Sequence, residues 1–137
     1  MVSFFRGSGV LGNRLIAVVD DDPLVRSATT SLLRSFGYDC HAFGSAEEYL
    51  RHTGFAYDCV VSDIQMSGMS GVELANLLHK QSMAAPIILI TAYPEARAAN
   101  AKNAGVVMEL LEKPLDGQAL LGAVRMAIGT PDRAEGD

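Results

Sequence analysis

The chain reads LIAVVDDDPLV from residue 15 to residue 25, and this stretch decides the fold. Its first five residues are apolar and rich in β-branched side chains, which is typical of a strand buried on both faces of a parallel sheet. Asp22 and Pro23 close the acidic run that follows, and this pair is suited to cap and begin a helix. The stretch therefore predicts a buried strand that passes almost directly into a helix.

The same change of pattern is repeated along the chain. Strands are predicted at Leu15–Asp20, Tyr38–Phe43, Cys59–Asp63, Ile87–Thr91 and Val106–Leu111. Helices are predicted between and after them, from Pro23 to Phe36, after Ser45, after Ser70, from Pro94 to Ala104 and from about Asp116 to Ile128. Strands that alternate with helices in this way predict an α/β fold. The expected architecture is a flavodoxin-like, doubly wound parallel sheet of five strands in the order 2-1-3-4-5, with five helices.

Two of the predicted helices begin with a capping-box pattern. Ser45 is followed three residues later by Glu48, and Ser70 is followed three residues later by Glu73. In this motif the serine hydroxyl accepts a hydrogen bond from the backbone N–H of the glutamate, whose carboxylate accepts one from the backbone N–H of the serine. The second and third helices are therefore expected to start directly after these serines.

Length and composition indicate a single domain. The chain has 137 residues, of which 49% are apolar, enough for one hydrophobic core and too few residues for two. Residues 14–129 are predicted to form this domain, with residues 1–13 as a flexible leader and residues 130–137 as a charged tail. No apolar run approaches the roughly 20 residues that a membrane span needs, and the leader lacks the continuous apolar stretch of a secretory signal.

Charge and cysteine content argue against two kinds of partner. The formal net charge is −5, whereas a nucleic-acid-binding surface needs clustered lysine and arginine. Cys40 and Cys59 both lie in predicted strands, where buried thiols are expected rather than a disulfide or a metal site. Free thiols fit a reducing compartment. We therefore expect a cytoplasmic protein that binds neither nucleic acid nor a membrane.

Polar side chains stand where four of the predicted strands end. The first strand ends in Asp20, Asp21 and Asp22, the third in Asp63, the fourth in Thr91, and the fifth runs into Lys113. Ligands of open α/β sheets bind in the crevice outside the carboxyl ends of the strands. Strands one and three are neighbours in the predicted order, so Asp20 or Asp21 is expected beside Asp63. The sequence thus predicts one site that several carboxylates share.

The chemistry predicted for this site is the transfer of a phosphoryl group. Carboxylates that lie close together raise one another's pKa unless a cation intervenes, and a cluster of oxygen ligands suits Mg²⁺. A carboxylate can attack phosphorus and form an aspartyl phosphate. Asp63 is favoured for this role because it stands alone at the end of the central strand. Mg²⁺ and the Lys113 ammonium would offset charge on the phosphoryl oxygens, and the Thr91 hydroxyl would supply a hydrogen bond.

These residues resemble the receiver domain of two-component response regulators, in particular regulators of chemotaxis and nitrogen fixation. The resemblance covers roughly residues 14–128. It rests on four strings, which are VVDDD at 18–22, VSDIQM at 61–66 with GMSG at 68–71, ITA at 90–92 and EKP at 112–114. Each string is weak alone. Four of them in the right order, each at the end of its strand, are highly specific.

The resemblance implies a role for each residue of the site. The Mg²⁺ ligands would be Asp20, Asp21, Asp63 and the main-chain carbonyl of Gln65. Asp63 would receive the phosphoryl group from a sensor histidine kinase or a phosphotransfer protein. Thr91 and Lys113 would hold the acyl phosphate, and the Lys113–Pro114 peptide bond is expected to be cis.

The implied activity is that of a signalling switch and not of an enzyme, with at most self-phosphotransfer and self-dephosphorylation. Phosphorylation would alter a partner-binding face built from the fourth helix, the fifth strand and the fifth helix. The partner would be a downstream effector protein or an output domain removed from this chain. The same face could join two copies into a homodimer.

The sequence departs from the family pattern at two positions and in the length of one segment. Ser67 stands where the family usually has proline, and Leu110 stands where it commonly has an aromatic residue whose rotamer follows phosphorylation. Tyr93, two residues after Thr91, occupies a position that controls access of water to the phosphate, and we hypothesise that its bulk slows hydrolysis. The segment 105–113 is also one residue longer than usual, which leaves the register of the fifth strand open by one residue.

Two other functions are weighed against the switch. In a phosphatase with an aspartyl nucleophile, of the haloacid-dehalogenase type, Asp20 and Asp22 would form the Asp-x-Asp pair. Such enzymes need a larger body to hold a substrate, and Asp63 would have no role. A receiver-like adaptor that works without phosphorylation is compatible with Ser67 and Leu110, although the intact acids argue against it. An adaptor should not respond to acetyl phosphate or beryllofluoride.

Overall fold

Strands and helices alternate throughout the computed structural model, which describes residues 12–52, 56–81, 85–93 and 96–132. The strands are β1 Leu15–Val19, β2 Asp39–Phe43, β3 Cys59–Asp63, β4 Ile87–Thr91 and β5 Glu109–Glu112. The helices are α1 Pro23–Ser35, α2 Ala46–Leu50, α3 Gly71–Lys80, α4 Ala96–Asn103 and α5 Gly117–Ile128. All strands pair in parallel in the order β2-β1-β3-β4-β5, so the predicted fold is confirmed. Among the described residues, no helix has the length and apolar character needed to cross a membrane.

The sheet divides the hydrophobic core into two clusters, one on each face. Every residue of β1, β3 and β4 is buried, as the continuous apolar runs predict. Side chains of β1 alternate between the faces: Ile16 packs in a cluster with Leu120 of α5, whereas Ala17 packs in a cluster with Leu74 of α3. Helices on both faces therefore leave only the ends and edges of the sheet open to solvent.

Side-chain caps fix where the helices begin. The Asp22 carboxylate accepts a hydrogen bond from the Leu24 N–H at 2.9 Å, so the interpretation of Asp22 as a helix cap is confirmed. At α3 the complete capping box is formed, with both Ser70 and Glu73 accepting the reciprocal N–H groups. At α2 the Ser45 hydroxyl accepts the backbone N–H three residues on at 3.0 Å. The first, second and third helices therefore start where the sequence predicts.

The predicted start of the fifth strand was wrong. Val106 and Val107 do not belong to β5, because both of their N–H groups donate to the Ala101 carbonyl, at 2.8 and 3.2 Å. Gly105, with a φ of 80°, turns the chain back onto the end of α4 before the strand begins at Glu109. Local β-branched character is thus overridden by hydrogen bonds to the preceding helix.

The other boundaries differ by one or two residues. Asp20 and Tyr38 lie just outside β1 and β2, to which they were assigned. The fourth helix runs from Ala96 to Asn103, whereas the prediction began at Pro94, which lies outside the described residues. The register of β5 is settled by the pairing of Thr91 with Glu112, which places Lys113 directly beyond the strand.

Two methionines with the apolar character of core residues are exposed. Met108 is 42% exposed in the turn before β5, and Met126 is 79% exposed on α5. On α5 the inward face is occupied by Leu120 and Val124, so Met126 falls on the outward face.

The prediction for the two cysteines is confirmed. Cys40 and Cys59 are buried free thiols, and burial raises the pKa of each thiol to about 12.

The first and last described residues lie against each other. Asn13 and Asp132 form an antiparallel bridge, and the Arg14 N–H donates to the Pro131 carbonyl at 2.7 Å. The Tyr38 hydroxyl donates to the Gly129 carbonyl at 2.8 Å. Asn13, Pro131 and Asp132, which the sequence assigns to the leader and the tail, therefore lie at the end of the sheet opposite the acidic residues.

Candidate functional site

The carboxyl ends of four strands meet at one edge of the sheet and carry the predicted site residues. Asp20 follows β1 and is succeeded by Asp21, Asp63 ends β3, Thr91 ends β4 and Lys113 follows β5. The parallel pairing of β1 with β3, β3 with β4 and β4 with β5 brings these ends together. Residues separated by about ninety positions in the chain thus line one crevice.

Three carboxylates form the floor of this crevice. One oxygen atom from each of Asp20, Asp21 and Asp63 lies within 4.8 Å of the others. Asp20 and Asp63 are buried, whereas Asp21 is exposed. A set of oxygen ligands that is open on one side matches the preference of Mg²⁺, which binds few protein carboxylates and keeps several waters. The residues present therefore fit a hard divalent cation.

Burial makes the two inner carboxylates, those of Asp20 and Asp63, costly to ionise. Desolvation raises the pKa of Asp63, while the Lys113 ammonium opposes this effect. Desolvation also raises the pKa of Asp20, the Asp22 N–H opposes it, and the negative charge of Asp63 adds to it. The Nζ atom of Lys113 lies 3.4 Å from Oδ2 of Asp63. One ammonium therefore faces several acids, and a divalent cation would supply the missing positive charge.

Backbone contacts orient the inner carboxylates. Oδ1 of Asp63 accepts the Ile64 N–H at 2.9 Å, and Oδ1 of Asp20 accepts the Asp22 N–H at 2.9 Å. The Arg26 guanidinium donates to the Asp20 carbonyl at 2.8 Å and holds the main chain where β1 ends. Because one oxygen of each carboxylate is engaged in this way, the orientation of the other is restricted before any ligand binds.

Asp21 is held by the loop that connects β3 to α3, residues 64–70. Its Oδ2 atom accepts the Ser67 N–H at 3.0 Å. Proline, the residue usual at this position in the family that the sequence resembles, has no N–H to donate. Ser67 thus provides a contact to the predicted metal site that the usual proline could not. The sequence analysis missed this contact because it identified Ser67 only as a departure from the family pattern.

The Thr91 hydroxyl is engaged within the loop that follows β4. Its oxygen accepts the Tyr93 N–H at 3.0 Å and lies 2.7 Å from the Tyr93 carbonyl and 3.3 Å from Oε1 of Gln65. Because a hydroxyl has one proton, Thr91 must give up its donation to these acceptors before it can donate to a phosphoryl oxygen. The role of the Gln65 main-chain carbonyl as a metal ligand stays a prediction.

Lys113 connects the site to β5 and to an apolar cavity. Its peptide bond to Pro114 is cis, as the resemblance implies, and its N–H donates to the Thr91 carbonyl at 2.8 Å. A cavity of about 390 Å³ flanks Lys113 on the α1 side and is lined by Leu24, Ile90 and Leu115 among others. Leu24 is 81% exposed, so apolar surface lies directly beside the charged crevice.

The fold and these residues match one family. A family model described as the response regulator receiver domain matches residues 16–125. The chain belongs to the response regulator receiver family. This family is a signalling domain and not a class of enzymes, which removes the support for the phosphatase alternative. The resemblance found in the sequence is therefore confirmed at the level of family and fold.

Two curated relatives are identical to the chain at about a third of the aligned residues. Transcriptional regulatory protein TdiR of Thauera aromatica is 36% identical over 115 residues, which cover 82% of this chain and 50% of that protein. Transcriptional regulatory protein FixJ of Bradyrhizobium diazoefficiens is 34% identical over 115 residues, covering 82% of this chain and 56% of that protein. The chain thus spans about half the length of these relatives.

Solved receivers have the same fold. The response regulator StyR superimposes with a TM-score of 0.73 and is 37% identical, with 85% of this chain and 59% of that chain covered. The response regulator TrrA of Thermotoga maritima, solved in complex with Mg²⁺ and BeF, gives a TM-score of 0.75 at 32% identity, with 83% and 98% covered. A receiver similar to this chain therefore binds Mg²⁺ together with a fluoride complex of beryllium.

Proposed function

We propose that this receiver accepts a phosphoryl group on Asp63 in a Mg²⁺-dependent reaction and thereby switches a protein-interaction face in two-component signalling. One observation carries the proposal. The Asp63 carboxylate lies at the end of the central strand, 3.4 Å from the Lys113 ammonium and in a cluster with Asp20 and Asp21. Nucleophile, cation ligands and a positive side chain thus share one small site.

The metal ligands of this proposal are Asp20, Asp21, Asp63 and the main-chain carbonyl of Gln65. When bound, Mg²⁺ would offset negative charge on the phosphoryl oxygens and on the carboxylates. Support comes from the spacing of the three carboxylates and from the burial that raises the pKa of Asp20 and Asp63. The exposed Asp21 leaves one side open for waters and for the incoming phosphoryl group.

In the proposed transfer, an oxygen of Asp63 attacks phosphorus. The bond between phosphorus and the donor imidazole nitrogen breaks, and its electron pair returns to the histidine ring. The Lys113 ammonium then pairs with the phosphoryl oxygens, and Thr91 donates its hydroxyl proton to one of them. The product is an acyl phosphate on Asp63, and later attack by water would return the carboxylate and release phosphate.

The donor is a sensor histidine kinase or a phosphotransfer protein, because response regulators are partners of such proteins. A protein donor must cover the surface around Asp63 to bring its phosphohistidine within reach. The apolar cavity beside Lys113, with the exposed Leu24 at its rim, offers such a surface next to the crevice. We propose that the donor docks on this surface and that the transfer takes place in the cytoplasm.

The switch is proposed to start at Thr91. When its hydroxyl turns to the phosphoryl group, its hydrogen bonds with Tyr93 are lost, and the loop between β4 and α4 is released. The face made of α4, β5 and α5 would then change its affinity for an effector protein, an output domain or a second copy of the chain. The net charge of −5 on the whole chain makes direct binding of nucleic acid unfavourable.

Labelling by acetyl phosphate tests the proposal and the adaptor alternative together. In this reaction Asp63 attacks phosphorus and acetate leaves, so no kinase is needed. We expect intact-protein mass spectrometry to show one added phosphoryl group in the presence of Mg²⁺ and none when EDTA removes the metal. An adaptor that works without phosphorylation would remain unlabelled in both samples.

Tyr93→Ala is expected to shorten the lifetime of the phosphoryl group. The Tyr93 side chain is 72% exposed and lies two residues beyond Thr91, where its ring can shield the acyl phosphate from water. Removal of this shield should speed hydrolysis roughly tenfold, which corresponds to about 1.4 kcal/mol in the barrier. The decay of labelled protein after removal of acetyl phosphate measures the rate. Tyr93→Phe, which keeps the ring, should decay as the wild type does, and an unchanged rate in Tyr93→Ala would refute the shielding role.

A further inference from the structure

We propose that Glu47 of α2 is a positioning residue for the metal site, and that it acts through the β3–α3 loop of residues 64–70. The inference rests on the proposed Mg²⁺-dependent function and adds to it a residue that no sequence motif singled out. Within the described part of the chain, no hydrogen bond or ion pair joins Glu47 to the acidic cluster or to Lys113. Glu47 contacts Gly68 and Met69, which form the tip of the loop. In the same loop, the N–H of Ser67 holds Asp21, and Gln65 carries the carbonyl that is a proposed metal ligand.

A hydrogen bond to the Glu47 carboxylate holds the tip of this loop against α2. Its Oε2 atom accepts the Met69 N–H at 2.9 Å, across 22 positions of sequence. This hydrogen bond lowers the pKa of Glu47, so the group is held as a carboxylate and the bond is charge-assisted. A loop fastened by a charged acceptor from a separate helix has fewer positions available to it than a loop anchored only at its two ends.

Gly68 shows how closely Glu47 lies on the loop. A Cβ atom added at Gly68 would be 2.8 Å from Oε2 and 3.3 Å from Oε1 of Glu47. The φ of Gly68 is 77°, a conformation that other residues rarely adopt. The glutamate therefore packs directly against the backbone at the turn of the loop, and the positive φ at this position favours glycine.

Two carboxylates from different parts of the chain thus accept hydrogen bonds from the same loop, at positions two residues apart. Asp21 accepts the Ser67 N–H at 3.0 Å, and Glu47 accepts the Met69 N–H two residues later. The tip cannot move away from Glu47 without displacing Ser67, whose N–H orients Asp21. Glu47 therefore restricts the orientation of Asp21, a proposed metal ligand, through two hydrogen bonds. Hydrogen bonds from residues that do not bind the metal orient the ligands of other metal sites in the same way.

The adjacent Glu48 supplies a matched control. Both glutamates lie in the first turn of α2, so replacing either one removes the same favourable interaction with the helix dipole. Of these two glutamates, only Glu47 has a side-chain contact with the loop in the described part of the chain. A comparison of Glu47→Ala with Glu48→Ala therefore separates the loop contact from the stability of the helix.

The experiment measures Mg²⁺ binding by titration calorimetry and the rate of labelling by acetyl phosphate as a function of Mg²⁺ concentration. Glu47→Ala should raise the dissociation constant of Mg²⁺ by roughly three- to tenfold, somewhat less than a direct contact to a ligand would give. The labelling rate at saturating Mg²⁺ should stay at the wild-type value. Glu47→Gln, which keeps an oxygen acceptor for the Met69 N–H, should recover most of the affinity.

The outcomes separate this inference from the function on which it rests. A Glu47→Ala protein that binds Mg²⁺ as tightly as wild type, or a Glu48→Ala protein with an equal loss, overturns the positioning role. A lower labelling rate that persists at saturating Mg²⁺ also contradicts it, because the effect would then lie outside metal binding. Failure of the wild type itself to be labelled would refute the proposed function, while calorimetry would still report on Glu47.

Discussion

Asp63→Asn is expected to abolish labelling by acetyl phosphate completely. The amide is close in size and can still accept the Ile64 N–H through its oxygen, so the local structure should be kept. It lacks the carboxylate charge that attacks phosphorus and cannot form an acyl phosphate. Intact-protein mass spectrometry after incubation with acetyl phosphate and Mg²⁺ should therefore show only the unmodified mass.

Asp58→Asn is the matched control for this substitution. Asp58 directly precedes β3 at the opposite end of the strand, and its carboxylate accepts the Leu15 N–H at 2.7 Å. An asparagine there can keep this hydrogen bond, and the site at the carboxyl ends of the strands is untouched. Asp58→Asn should be labelled as the wild type is. Full labelling of Asp63→Asn would show that another residue accepts the phosphoryl group.

Gly71→Ala is expected to destabilise the protein strongly. A Cβ atom at Gly71 would overlap the carbonyl oxygen of Asp63 and would lie 3.0 Å from Cα of Ile64. These are backbone atoms of the buried end of β3, so no side chain can move to make room. We expect a loss of about 3 kcal/mol in the free energy of unfolding, at the upper end for an added methyl group in a packed interior. Urea denaturation measures this loss.

Gly122→Ala provides the comparison, since it makes the same change in an open position. Gly122 lies within α5, and an added Cβ would meet nothing within 4 Å. Alanine in an exposed helix interior is favoured over glycine by about 1 kcal/mol, so this variant should be more stable than the wild type. Equal urea midpoints for Gly71→Ala and the wild type would contradict the close packing of α3 on Asp63.

The parts of the fold that the sequence predicts well are those with the strongest pattern. β1, β3 and β4 are buried along their whole length, so each reads as an apolar run, and a polar residue ends or directly follows each of them. β5 lies at the edge of the sheet and has no such run. Val106 and Val107 look like strand residues, but their backbone bonds to Ala101 depend on how the end of α4 is placed. Sequence pattern does not contain that information.

The sequence also predicts some parts of the candidate site better than others. Asp20, Asp63 and Lys113 were predicted to converge because they follow strands that a parallel sheet brings to one edge. The contacts of Glu47 and Ser67 were not predicted, because in each pair the donor is a backbone N–H, and every residue except proline has one. Only the path of the β3–α3 loop shows which N–H meets which carboxylate.

Mapping of the phosphorylated residue tests the central claim most directly. Borohydride reduces an acyl phosphate to an alcohol, so a phosphorylated aspartate becomes homoserine. Cleavage after arginine and lysine separates the peptide 15–26, which contains Asp20, Asp21 and Asp22, from the peptide 52–80, which contains Asp63. After treatment with acetyl phosphate and Mg²⁺, we expect homoserine at position 63 and intact aspartates in the first peptide. Homoserine at position 20 or 21, with Asp63 unchanged, would contradict the account.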